Sequence, residues 1–299
     1  MTTARLGAID IACNLHEPGD ATSHGGGLSA SFRDLLHLDD HARTGAGVDV
    51  LLDQMDRAGI ERSFLIAVRA GDMRMRGSFE IPYDRVARIC ARHPDRFSGL
   101  AGIDPTRGMS GLQDLERAVR DMGFVGAHLY PHWFGLAPDH ARYYPTYAKC
   151  CELDVPIQIQ VGHALIYDPD RPLRSFGHPM TLDTVACDFP ELKLIGSHIG
   201  VPWTDEMISV AFKHPNVRIA TDAHPPRHWP AALVDYLARR GVGKVMFGTD
   251  WPVVDPVRAR AQIDGIEMPD AARRALLRDT ALAFYGLTDA KPATGSTPA

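Results

Sequence analysis

Short apolar runs alternate with longer amphipathic stretches along this chain. A short apolar run is typical of a buried strand, and an amphipathic stretch is typical of a helix packed on a sheet. Eight runs are predicted as strands: residues 6–12, 62–68, 98–103, 125–128, 156–161, 192–197, 217–220 and 244–247. Eight strands that alternate with helices predict an α/β fold, a single-domain (β/α)8 TIM barrel. A doubly wound open sheet is the alternative, but no glycine-rich phosphate loop follows the first strand.

Three long segments follow predicted strands on what would be one rim of the barrel. They are the insertion 17–47 and the loops 131–142 and 163–179. Loops on the carboxyl rim of such a barrel form a lid or a substrate pocket, so we expect the insertion to cover the mouth. Residues 1–289 are predicted as the barrel domain, and the tail 290–299 as disordered.

Composition excludes several classes of partner. The chain has 299 residues, of which 45% are hydrophobic, enough for a sizeable core. Its 32 basic and 37 acidic residues form no basic block, which argues against a nucleic-acid or membrane partner. The five cysteines show no C-x-x-C spacing, so free thiols and a cytoplasmic location are predicted. The sequence does not determine whether the protein forms a homodimer.

Two of the predicted strands end in residues that can perform acid–base chemistry. The run 244–247 leads into Gly248, Thr249 and Asp250, and the run 192–197 leads into His198. The carboxyl ends of parallel strands meet at one edge, where α/β barrels keep their chemistry. One such residue could simply cap a helix. Two in tandem favour function, so Asp250 and His198 are the predicted catalytic residues.

With the strands in place, the chain resembles the amidohydrolase-related family. That family includes aminocarboxymuconate semialdehyde decarboxylase, the resorcylate decarboxylases and several lactone hydrolases. The resemblance is carried by residues 51–60, 189–200, 214–217 and 247–252. It implies the barrel fold and an enzyme that acts on a small molecule, but family membership does not determine the reaction.

The resemblance also shows which metal ligands are missing. Metal-binding members carry His-x-His after Ile-Asp on the first strand, where this chain has Ala12 and Asn14. A third family histidine, on the fifth strand, is replaced by Gln160. Amide oxygens are poor zinc donors. We therefore expect no metal or a weakly bound divalent metal, zinc or manganese, held by Asp250, His198 and His16.

Further strand-end and rim residues are predicted to bind the substrate. Gln158 and Gln160 share one strand face, and the arginines could pair with a carboxylate. Of His128 and Tyr130, one is expected to face the mouth and the other to pack outward. Asp222 is expected only to cap a helix. The predicted set is Asn14, Arg69, His128, Tyr130, Gln158, Gln160, His163 and Arg174.

The predicted function is hydrolysis of a small, carboxylated lactone, ester or amide. Asp250 would accept the proton of the attacking water, and His198 would orient that water. Gln160 and His163 would polarise the substrate carbonyl. The first alternative is a non-oxidative decarboxylase that acts on an aromatic or muconate-type acid. The second is a barrel without catalysis that binds a small ligand.

Overall fold

The structure, a computed structural model, describes residues 6–18, 34–35, 38, 44–74, 78–166 and 172–287. Most of the predicted insertion 17–47 and all of the predicted tail 290–299 lie outside these ranges. Within the described ranges, no helix combines the length and the apolar character needed to cross a membrane.

The strands form one large parallel sheet and one small hairpin. In chain order they are β1 (Ala8–Cys13), β2 (Ile60–Ala67), β3 (Arg69–Ala70), β4 (Phe79–Glu80), β5 (Phe97–Gly102), β6 (Gly126–Leu129), β7 (Ile157–Gln160), β8 (Leu194–Ser197), β9 (Val217–Ala220) and β10 (Val245–Met246). The parallel sheet has eight strands in the order β1-β2-β5-β6-β7-β8-β9-β10, and β3 pairs only with β4. The predicted eight-stranded barrel is confirmed.

Strands β1 and β10 close the barrel. The backbone amide of Ile11 donates to the carbonyl of Phe247 at 3.2 Å, and that of Asp250 donates to Ala12 at 2.8 Å. Beyond the strand ends, the amide of Asn14 donates to the carbonyl of Trp251 at 2.7 Å. This seam joins the two ends of the sheet, so the open-sheet alternative does not hold.

Amphipathic helices cover the barrel. In α1 the buried residues Leu51, Met55 and Ala58 recur at helical spacing, and Gly59 ends the helix in the left-handed conformation. The helices are α1 (Val48–Ala58), α2 (Tyr83–Arg92), α3 (Met109–Arg120), α4 (Pro131–Phe134), α5 (Tyr144–Glu152), α6 (Met180–Asp188), α7 (Thr204–Lys213), α8 (Ala231–Ala238), α9 (Pro256–Asp264), α10 (Asp270–Arg274) and α11 (Thr280–Tyr285).

The amino end of the barrel is packed core. Tyr285 of α11 lies edge-on to Phe64 with ring centroids 4.7 Å apart. Its hydroxyl oxygen accepts a hydrogen bond of 2.7 Å from the side-chain amide of Gln158. Because this end is filled, the open carboxyl rim is where a substrate can enter.

The carboxyl rim carries two elements that the hydrophobic pattern did not predict. The loop 131–142 contains the short helix α4, and the β3–β4 hairpin follows β2. Each strand of the hairpin has two residues, too few for a periodic pattern to show. These elements bring Phe79 and Trp133 to the mouth of the barrel.

Candidate active site

His198 and Asp250 lie side by side at the carboxyl rim. Oδ2 of Asp250 is 3.7 Å from Nε2 of His198. Both residues have left-handed backbones, with φ of 63° for His198 and 55° for Asp250. A non-glycine residue in this region costs about 1–3 kcal/mol, and such strain clusters at functional sites. The fold therefore holds the two predicted strand-end residues together against a conformational cost.

Asp222 is a third member of the site and was not predicted as one. It follows β9, is fully buried, and places Oδ2 3.4 Å from Nε2 of His198. Its Oδ1 accepts a hydrogen bond of 3.0 Å from the backbone amide of His198. Asp222 follows a strand just as Asp250 does, so the strand-end argument could have found it.

Asn14 and Tyr130 orient Asp250 from the other side. The amide nitrogen of Asn14 donates to Oδ1 of Asp250 at 2.5 Å. The hydroxyl of Tyr130 donates to the amide oxygen of Asn14 at 3.0 Å. With Oδ1 held in this way, Oδ2 of Asp250 is the oxygen directed towards His198.

Gln160 makes the matching contact with His198. Its Nε2 lies 3.2 Å from Nδ1 of the imidazole. His163, also a predicted substrate contact, is exposed at the rim with its ring 5.3 Å from that of Trp203. Both Gln160 and His163 line the same cavity as His198 and Asp250.

Burial sets the protonation states of the site. It raises the pKa of Asp250 well above its usual value, and the negative charge of Asp222 raises it further. Burial also raises the pKa of Asp222 to about 6 and lowers that of His198 to about 4. At neutral pH the site therefore combines a neutral imidazole with a carboxyl group that retains a proton readily.

The cavity above these residues has a volume of about 410 Å³. Phe79, Tyr130 and Trp133 form an aromatic wall, with Trp133 5.6 Å from the ring of Tyr130 and 6.1 Å from that of Phe79. Leu35, from the 17–47 insertion, also lines the cavity. The charged and strongly polar side chains that line the cavity include His16, Gln160, His163, His198, His224, Arg227, His228 and Asp250. The cavity thus suits a flat apolar ring that carries polar groups on one edge.

Four predicted substrate contacts do not line the cavity: Arg69, His128, Gln158 and Arg174. Gln158 is fully buried, and its amide donates to the carbonyl of Ile11 as well as to Tyr285. Arg69 pairs with Asp114 at 3.4 Å and lines a separate cavity. Arg174 is exposed and does not line the cavity.

The prediction that one of His128 and Tyr130 packs outward is wrong. Both side chains are buried, and their rings lie 4.2 Å apart. Burial, with a contribution from the charge of His198, lowers the pKa of His128 to about 3. β6 ends at Leu129, so strict alternation does not extend to Tyr130, and both rings turn inward. Tyr130 lines the cavity, whereas His128 does not.

The residues at three of the family's metal positions, 12, 14 and 160, do not fit a metal ion. Ala12 has no donor atom, the amide of Asn14 is bonded to Asp250 and Tyr130, and that of Gln160 contacts His198. The third predicted ligand, His16, lines the cavity with its ring 5.8 Å from that of Phe79. It is not part of a metal-binding group among the described residues. One candidate group does occur at the site, formed by His198, Asp222 and Asp250, whose ligand atoms lie within 4.8 Å of one another.

A family model described as Amidohydrolase matches residues 41–287. This chain belongs to that family. The match covers the strands from β2 to β10 and includes the segments that carry His198, Asp222 and Asp250. The resemblance inferred from the sequence is confirmed.

Known proteins similar to this family member include decarboxylases. Gamma-resorcylate decarboxylase of Rhodococcus jostii (strain RHA1) is 26% identical over 271 residues, which cover 76% of this chain and 78% of the relative. A crystal structure of 2,6-dihydroxybenzoate decarboxylase with 2,6-dihydroxybenzoate has a TM-score of 0.71 at 21% identity, covering 95% of this chain and 100% of the other. Dihydroxybenzoic acid decarboxylase of Polaromonas sp. JS666, with bound manganese and 2-nitroresorcinol, has a TM-score of 0.68 at 20% identity, covering 97% and 100%.

The main functional prediction from the sequence, a hydrolase, is wrong in the light of these relatives. Gamma-resorcylate decarboxylases align with 74–81% of the chain and are named for the removal of a carboxyl group. The predicted lactonase activity has no counterpart among them. Asp250 and His198 suit proton transfer in either reaction, which is why the residues alone did not separate the two.

Proposed function

We propose that this family member is a lyase that removes the carboxyl group of a small hydroxylated aromatic acid. The observation that carries the proposal is Asp250, a buried carboxyl group with a raised pKa beside an aromatic cavity. Decarboxylation of an aromatic acid requires protonation of the ring carbon that loses carbon dioxide. A carboxyl group whose pKa is raised by burial keeps its proton to higher pH than an exposed aspartate and can supply that proton.

The cavity favours an aromatic substrate. The wall formed by Phe79, Tyr130 and Trp133 offers faces and edges on which a single ring can stack. Hydroxyl groups ortho to the carboxylate push electron density onto the carboxylated carbon, so that it accepts a proton more easily. The relatives named for dihydroxybenzoate support this choice of substrate class.

In the proposed reaction Asp250 acts as the general acid. The proton on its Oδ2 passes to the ring carbon, the bond to the carboxylate breaks, and carbon dioxide leaves. The electron pair of the broken bond restores the aromatic ring, and the Asp250 carboxylate regains a proton from solvent. The charge of Asp222 makes the carboxylate of Asp250 less stable and so returns the proton to it.

The other cavity residues position the substrate and the acid. Asn14 holds Oδ1 of Asp250, so that Oδ2 carries the mobile proton. His198, neutral because burial lowers its pKa, accepts or donates a hydrogen bond without adding charge. Gln160 keeps its imidazole in place. Ala12, Asn14 and Gln160 replace three of the family's metal-binding histidines in this chain, and no step of this scheme passes through a metal.

The test is product analysis in heavy water. The full-length protein, incubated with 2,6-dihydroxybenzoate in D2O, should release carbon dioxide and give resorcinol with one deuterium at the carbon that lost the carboxyl group. Asp250→Asn should abolish this product, and the surface variant Asp183→Asn should retain it. Failure to decarboxylate any of a panel of ortho-hydroxybenzoates would overturn the proposal.

A further inference from the structure

Two buried atoms of the active site lie close together without a hydrogen bond. Nε2 of His198 and Oδ2 of Asp222 are 3.4 Å apart, and neither finds a hydrogen-bond partner within the described part of the chain. Buried polar atoms are almost always satisfied, so a pair of unsatisfied ones requires an explanation. Oδ2 of Asp250, 3.7 Å from the same Nε2, faces the same small space.

We propose that His198, Asp222 and Asp250 bind a divalent cation such as Mn²⁺. This cation site uses Asp222, which follows β9, in place of the histidines that metal-binding family members have at positions 12, 14 and 160. This inference is linked to the proposed function only because both use Asp250. A cation on Oδ2 of Asp250 would exclude the proton from that oxygen, so the cation-bound and proton-donating states are alternatives.

The spacing of the three ligand atoms fits one ion. Bonds of about 2.1 Å from a small divalent cation place neighbouring ligand atoms about 3–4 Å apart. The two measured separations, 3.4 Å and 3.7 Å, lie in this range. Two carboxylate oxygens and one imidazole nitrogen form a mainly oxygen donor set, which suits Mn²⁺.

Charge gives a second reason for a cation. Among the ion pairs of the described residues, Asp222 and Asp250 are joined only to His198 and to no lysine or arginine. Two neighbouring carboxylates buried without a cation cost a large desolvation and repulsion energy. A divalent ion between them offsets both charges.

Gln160 has a defined part in this cation site. To bind a metal through Nε2, the imidazole must carry its proton on Nδ1 and donate it to an acceptor. Gln160 lies against Nδ1, and its carbonyl oxygen has no partner among the described residues. Rotation of the carboxamide by half a turn places that oxygen on Nδ1. Gln160, at a position where family members have a metal ligand, would then orient the ligand His198.

The test is Mn²⁺ titration of chelator-treated, full-length protein, with free Mn²⁺ followed by its paramagnetic resonance signal. We expect one equivalent to bind, with nitrogen hyperfine coupling from one imidazole that is absent in His198→Gln. Asp222→Asn should weaken binding at least about tenfold, which corresponds to about 1.4 kcal/mol. Asp183→Asn is the matched control, because Asp183 and Cys187 of α6 and His214, which follows α7, form a second candidate metal group. It should leave the imidazole-coupled ion in place.

Either of two results would overturn the proposal. One is the absence of binding up to about 1 mM Mn²⁺. The other is an Asp222→Asn protein that binds as tightly as the wild type. If thermal melting shows that Asp222→Asn does not fold, Asp250→Asn replaces it with the same expected weakening. None of these readouts uses turnover, so failure of the proposed decarboxylation would not affect them.

Discussion

Asn14 and Asp250 lie 236 residues apart in the chain, yet their side chains meet across the seam between β1 and β10 at 2.5 Å. Asn14 stands where metal-binding members of the family have a histidine. In this chain the side-chain amide of Asn14 donates a hydrogen bond to Oδ1 of Asp250 instead of binding a metal. The contact leaves the other carboxyl oxygen, Oδ2 of Asp250, facing His198 at 3.7 Å.

The first prediction concerns Asp250 itself. Asp250→Asn retains an acceptor oxygen for Asn14 but cannot deliver a proton, so turnover should fall by about 10²–10⁴-fold, the usual contribution of a general acid. The melting temperature should change little, because the amide is an uncharged group of the same shape as the protonated carboxyl group. Steady-state rates and calorimetry measure the two effects. A variant with near wild-type turnover would rule out Asp250 as the acid.

The second prediction concerns the hydroxyl of Tyr130. Tyr130→Phe removes the hydrogen bond to Asn14, so the carboxamide is free to rotate and present its oxygen to Asp250. We expect kcat to fall about tenfold, the equivalent of one hydrogen bond of about 1.4 kcal/mol. Tyr147→Phe is the control, because its buried hydroxyl donates to Pro138 at 2.6 Å outside the cavity. It should lower stability but leave kcat unchanged.

The barrel was predictable because each strand is a local apolar pattern, and so was the pairing of His198 with Asp250. The position of each inward side chain along the barrel axis could not be predicted. Gln158 and Gln160 point inward as alternation requires, but two residues of strand separate them by about 6.6 Å. Gln160 reaches His198 at the mouth, whereas Gln158 reaches Tyr285 near the amino end.

Burial was the second property that the sequence could not supply. The strand-end argument makes Asp222 a candidate, but an aspartate after a short strand also commonly caps a helix, and the local sequence does not choose between the two roles. Its role depends on complete burial beside His198, which results from packing between β8 and β9. The prediction that Arg69 binds the substrate did not allow for its ion pair with Asp114 on α3, a partner that is distant in sequence.

The third prediction tests the close contact between β2 and β5. A side chain added at Gly102 would overlap the carbonyl oxygen of Ala67 and the amide of Arg69, both backbone atoms that cannot move independently. Gly102→Ala should therefore reduce the free energy of unfolding by about 1–3 kcal/mol in urea titrations. Gly265→Ala, where the nearest atom would be at an ordinary 3.5 Å, should change it by less than about 0.5 kcal/mol. Equal effects would contradict the argument.

The fourth prediction concerns zinc. Because Ala12, Asn14 and Gln160 occupy the family's ligand positions, protein purified without added metal should contain far less than one equivalent of zinc. Mild chelation should remove what is present, and turnover should not fall, since the proposed acid is a proton on Asp250. Elemental analysis before and after dialysis against chelator provides the measurement. One full equivalent that survives dialysis, or loss of turnover on chelation, would assign catalysis to the metal-bound state.

The last prediction concerns pH. Asp250 must be protonated to act, so turnover of the metal-free enzyme should be present below its pKa and should fall as pH rises through it. Burial and the charge of Asp222 both raise that pKa. Asp222→Asn removes the neighbouring negative charge and makes the Asp250 carboxylate less unfavourable, which lowers its pKa. The alkaline limb of the kcat profile should therefore move to lower pH in Asp222→Asn, measured in the presence of chelator, and should not move in Asp183→Asn. A limb that stays in place would show that Asp222 does not tune the acid, and a shift to higher pH would contradict the sign of the interaction.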